Sequence, residues 1–145
     1  MSNAESTEHA DARNPRSVEV RVSARLENLA VVRTLIGALA TSEDLDLDAV
    51  ADLRLAVDEA CTRLIRSTTP DATLVLVVDP RVNELVVDVS TTSTADDILT
   101  PGSFSWHVLT SLTDDVRLFR DGAELGGVGP VVGISLTTRR VSSAR

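Results

Sequence analysis

Apolar and polar residues alternate through SVEVRV, residues 17–22, at the two-residue period of a half-buried strand. Helical spacing replaces that alternation at once. Leu26, Leu29, Val32, Leu35, Ile36 and Leu39 form one broad apolar face, predicting a helix through about residue 41 with Ser23 as its N-cap. TSEDLDLD follows as an acidic connection rich in capping side chains. Val50, Leu53, Val57, Ala60 and Leu64 then recur three and four residues apart, predicting a second helix over about 47–67 that closes in the turn-forming STTPD. ATLVLVVD and NELVVDVS carry rows of β-branched residues on either side of Pro80, Arg81 and Val82, the pattern of a β-hairpin. The polar TTSTADDILTPGS breaks the strand pattern and reads as a mobile loop. FSWHVLTSLTD places Trp106, Leu109 and Leu112 on a short helix. VRLFRDG and PVVGISLTTR are two further strands, and Gly126, Gly127 and Gly129 between them read as a hairpin loop.

The order is strand, two helices, two strands, loop and short helix, then two strands. It implies an α+β two-layer sandwich, a mixed or antiparallel sheet with helices on one face, built as a single domain over residues 17–140. Residues 1–16 are polar and read as a flexible N-terminal arm, or in part a cloning remnant, and 141–145 as a short C-terminal tail. With no signal-peptide block and no apolar run of membrane length, the expectation is a cytoplasmic protein that does not enter membranes.

Charge narrows the function classes. A net charge of -8 repels a phosphate backbone, and two Phe, one Trp and no Tyr leave little to stack on bases, so direct nucleic-acid binding is not expected. Long-range attraction favours a partner with a basic surface instead. Cys61 is the only cysteine, which excludes an internal disulfide and fits a reducing compartment. With His9 and His107 the only histidines, no histidine-rich metal centre is expected, and no metal site is assigned.

LRLAVDEACTRLIRS, residues 53–67, is the segment richest in chemistry. On a helix Val57, Ala60 and Leu64 lie on one side, while Asp52, Ala56, Glu59 and Arg63 gather on another. The ordinary reading of Glu59 and Arg63 is a solvent-facing i,i+4 ion pair worth a few tenths of a kcal/mol, and spacing alone identifies no site.

AVDEACTRLI after an acidic loop, followed by a hairpin, a loop and SLTDDVRL, resembles the RsbW-type anti-sigma factors of the GHKL (histidine kinase-like) ATPase superfamily. The likeness spans roughly residues 17–139 and is strongest to the UsfX-like anti-sigma F subgroup. The resemblance implies an ATP site with a bound magnesium ion. In the family a helical Glu serves as general base and an Asn four residues later ligates the metal. Glu59 holds the first position, but Arg63 holds the second, and a guanidinium has no lone pair for a cation. Arg63 is left either to contact a phosphate directly or to pair with Glu59. The family's adenine-binding Asp and Gly correspond to Thr91 and Ser93, or to Asp88, Asp96 or Asp97 if the register slips. Its phosphate-binding Gly-x-Gly corresponds to Ser103 and Ser105, beside Gly102. Arg33, with Leu29 beside it, falls near the arginine with which the family grips its sigma factor; otherwise Arg33 is a snorkelling side chain on the first helix.

The resemblance therefore implies a protein that sequesters an alternative sigma factor of the sigma F type. A STAS-class anti-anti-sigma protein relieves it, and related domains pair as homodimers. The alternative is an active serine/threonine kinase that phosphorylates the STAS antagonist. A third reading is a dimeric scaffold.

Overall fold

The computed structural model describes residues 14–124 and 130–141, with the side chains of 122–124 set aside. In chain order the elements are β1 (Val18–Ser23), a 3-10 turn (Leu26–Asn28), α1 (Leu29–Ser42), α2 (Leu47–Ile65), β2 (Thr73–Pro80), β3 (Glu84–Thr92), α3 (Phe104–Leu112), β4 (Asp115–Glu124) and β5 (Pro130–Arg139). The five strands form one sheet in the order β1-β2-β3-β5-β4, and every neighbouring pair is antiparallel. The α+β sandwich is thus realised with an antiparallel rather than a mixed sheet.

Strand alternation places the core. Leu74, Leu76 and Val78 of β2, Leu85, Val87 and Val89 of β3, and Val132, Ile134 and Leu136 of β5 are buried in one cluster with Val32, Ile36 and Ala40 of α1 and Leu53, Val57, Ala60 and Leu64 of α2. Those helical positions repeat every three or four residues, so one stripe of each helix meets one face of the sheet. β5 returns between β3 and β4, so the chain leaving β3 crosses through a loop and α3 before it reaches the edge strand β4. This crossover sets the end of β3 and the start of α3 against α2.

Two sequence expectations are corrected. Ser23 does not cap a helix: it ends β1 paired with Thr73, and the amide of the next residue, Ala24, donates to Ala72 O at 2.9 Å, so sheet pairing continues past it. The chain enters α1 through the 3-10 turn instead, with no side-chain cap at Arg25 or Asn28. The segment after β3 is also anchored rather than free. Thr91 and Thr92 belong to β3, and Ile98 and Leu99 are 0% and 3% exposed within the core cluster. The second helix starts where expected, capped by Asp46, whose carboxylate accepts from Ala49 N at 2.7 Å, and ends slightly early at Ile65. The glycine-rich turn, residues 1–13 and residues 142–145 lie outside the described residues.

Candidate functional site

α2 carries the helical carboxylate and presents it to α3. Ser105 Oγ, in the first turn of α3, donates to Glu59 Oε2 at 2.6 Å, a charge-assisted bond that joins the two helices. Ser105 is buried and Glu59 half-buried, so each satisfies the other where water has limited access. The expected Glu59–Arg63 pair is not formed. Arg63, one turn further along α2, turns its guanidinium toward the loop, and its Nε donates to Ile98 O at 3.1 Å. A buried carbonyl in an irregular segment needs a donor, and Arg63 supplies it.

The loop is fastened along its length. Ser93 Oγ donates to Ser67 O at 2.6 Å and accepts from Ala95 N at 3.0 Å, while Ser93 N donates to Pro130 O at 2.9 Å. Thr68 Oγ1 donates to Thr92 O at 2.5 Å, and Arg120 donates to Ala95 O. Thr91 is fully buried and its hydroxyl donates to Thr73 O at 2.8 Å. Gly102, at φ 88°, makes the left-handed bend that ends the loop. Ser103 then caps α3, its side chain accepting from Trp106 N at 3.2 Å.

The six residues assigned to a nucleotide pocket thus divide. Glu59 and Ser105 are brought together, whereas Arg63 is bonded to the loop at Ile98 O. Ser93 lies instead in an open cleft of about 560 Å³, lined also by Arg66, Ser67, Thr68, Thr94 and Asp97. Neither Glu59 nor Arg63 nor Ser105 lines that cleft. Thr91 faces β2, and Ser103 is committed to capping. Asp88, the register-slip alternative, is opposite Val77 and Ser135 and alternates with the core residues Val87 and Val89, which puts it on the sheet face away from the helices. Sequence reasoning overlooked Ile98 and Leu99. Their signal was visible as the one apolar pair inside an otherwise polar loop.

On α1, Arg33 is exposed and its Nε lies 3.1 Å from Asp58 Oδ1 of α2. Leu29 is partly buried and packs against the core. No helix among the described residues is long and apolar enough to cross a membrane.

A five-stranded antiparallel sheet covered by helices on one face, with a carboxylate on the second helix meeting the first turn of a crossover helix, defines a class of protein. The chain belongs to the histidine kinase-like ATPase domain family, whose model matches residues 22–127. Within that family it is 63% identical over 133 residues to the protein named Anti-sigma-F factor RsbW in two strains of Mycobacterium tuberculosis, CDC 1551 / Oshkosh and H37Rv. The alignment covers 92% of this chain and 79% of each relative.

The family implies ATP and magnesium, and the residues present do not fit them. Magnesium requires oxygen ligands, whereas the second helical position is a guanidinium with none to offer. The hydroxyls of Thr91, Ser93 and Ser103 are engaged with Thr73 O, Ser67 O and the Trp106 amide, and the Ser105 hydroxyl donates to the Glu59 carboxylate.

Proposed function

We propose that this protein is an anti-sigma factor that acts in the cytoplasm, holding an alternative sigma factor of the F type away from RNA polymerase. A STAS-class anti-anti-sigma protein relieves it by competing with the sigma factor for this chain. The observation that carries this reading is the 63% identity over 92% of the chain to a protein named as an anti-sigma-F factor. The acidic surface supports it, since a net charge of -8 attracts a partner with basic patches and disfavours direct DNA binding. The unit that binds is a homodimer, and its nucleotide site is degenerate. Arg33 of α1 is the leading contact residue, exposed and oriented by Asp58, with Leu29 supporting it from the core side.

Gel filtration of the purified protein with the sigma factor at moderate salt tests the proposal. A complex is expected with and without ATP; separate elution under both conditions refutes the reading.

A serine/threonine kinase acting on the STAS antagonist is the second reading, favoured by the retention of Glu59 at the family's general-base position. Transfer of labelled γ-phosphate to the antagonist distinguishes it.

A further inference from the structure

α2 turns one stripe into the core and still carries apolar side chains on its opposite side. Leu47 is 85% exposed and Leu55 58%, and Ala51, exposed too, stands midway between them. Four-residue spacing puts the three in one row along the outer crest of the helix. A single exposed leucine is ordinary, whereas an aligned row on a helix whose buried face is already filled offers a surface for docking. Asp48 and Asp52, each one residue further on, run beside the row. Both are exposed, and neither carboxylate has an ion pair or hydrogen bond among the described residues. Asp58 lies three residues past Leu55 and pairs with Arg33 of α1 at 3.1 Å, so the crest continues into the surface around Arg33.

Charge selects the occupant. A second copy docked about a two-fold axis would set this acidic row against itself. A nucleic acid or an anionic membrane surface would be repelled by Asp48, Asp52 and the net charge of -8. A helix of another protein, with an apolar stripe between lysines or arginines, satisfies both halves of the row: its stripe covers Leu47, Ala51 and Leu55, and its cations meet the two unpaired carboxylates. We propose that the crest of α2 is a docking surface for such a basic amphipathic helix and that the sigma factor supplies it, the source of the helix resting on the anti-sigma reading. Contacts then run from Arg33 on α1 across to Leu47 at the start of α2. Burial of the leucines holds the partner, and the aspartates speed its approach.

Two double variants test the surface, Leu47→Gln with Leu55→Gln and Asp48→Asn with Asp52→Asn. Both alter exposed side chains outside the core, so thermal unfolding should stay close to wild type. In calorimetry with the purified sigma factor, the leucine variant should weaken the complex by about tenfold or more. The aspartate variant should weaken it by about threefold at low salt and lose that difference at about 0.5 M salt, where exposed charges are screened. A wild-type complex that both variants form with unchanged affinity at low salt overturns the docking surface and leaves the anti-sigma reading standing. Loss of self-association in sedimentation with sigma-factor affinity unchanged assigns the crest to a second copy, and loss confined to the STAS antagonist assigns it to that protein; either result overturns the proposal. No complex even with wild type removes the anti-sigma reading, and this assignment of the crest with it.

Discussion

The two ends of the sheet are both held by an arginine that donates to backbone carbonyls, and they differ in what the nearby carboxylate does. At the end where β3 begins, Arg140 Nη2 donates to Glu43 Oε1 at 2.7 Å, Nη1 to the Glu43 carbonyl, and Nε to Arg81 O at 3.0 Å. Arg16 adds a second cation to the same carboxylate. Glu43, 11% exposed, therefore joins the entry to β1, the α1–α2 connection, the β2–β3 turn and the exit from β5. At the end where β3 finishes, Arg63 holds one carbonyl and makes no ion pair among the described residues, and Glu59 is satisfied by a neutral hydroxyl. The difference separates an end closed by a clasp of paired charges from one whose charged groups take neutral partners.

The arginine of the clasp contributes most to stability. Arg140→Ala leaves the Glu43 carboxylate with one partner and frees two carbonyls, so urea unfolding should show a loss of about 2–3 kcal/mol. A loss no larger than that of an exposed ion pair would mean that the clasp holds nothing.

Acid titration follows in size. Burial alone would raise the Glu43 pKa, but the hydrogen bonds and charges of Arg140 and Arg16 outweigh it and hold the group below its ordinary value of 4.5. A carboxylate depressed in the folded state contributes stability that is fully present above its unfolded pKa and disappears as pH falls through the folded one. Wild type should therefore exceed Glu43→Gln in stability by about 1–2 kcal/mol near neutrality, and the gap should close only below about pH 4.5. A gap that persists unchanged at low pH would assign the clasp to packing.

At the other end, Ser105→Ala removes one neutral donor from Glu59 and should cost about 1 kcal/mol in the same unfolding experiment. A cost equal to that of Arg140→Ala would erase the distinction between the two ends.

The smallest stability effect belongs to Arg33, which is exposed and pairs with a half-buried Asp58. Arg33→Ala should change unfolding by no more than about 0.5 kcal/mol. Charge reversal to Glu should weaken the proposed sigma-factor complex by about 2 kcal/mol in calorimetry, with the fold intact by circular dichroism. An unchanged complex removes Arg33 from the contact surface.

Periodicity carried the layer structure because helix and strand repeats are local and the core imposes them. Val50, Leu53, Val57, Ala60 and Leu64, all predicted to share a face, are all buried. The hairpin between ATLVLVVD and NELVVDVS forms in register, with Val78 opposite Val87. Ser23 misled because capping preference is a local propensity, and pairing with β2 outweighed it. Glu59 and Ser105 were each legible through the family resemblance. Their bond was not, since 46 residues separate them and no rule of spacing joins an i,i+4 helix pattern to a later helix.

The chain's own pattern was enough to determine an α+β sandwich with helices on one face, the helix that bears Glu59 and Arg63, and a short helix within FSWHVLTSLTD. Tertiary structure alone decided that Arg63 turns to Ile98 rather than to Glu59, that a loop of polar composition buries an apolar pair, and that Glu43 draws in Arg140 from 97 residues away. The reason is physical. Backbone periodicity is written within a few residues, whereas the partner of a half-buried charge is whichever donor or acceptor the crossover of β3 and the return of β5 bring within hydrogen-bond distance of it.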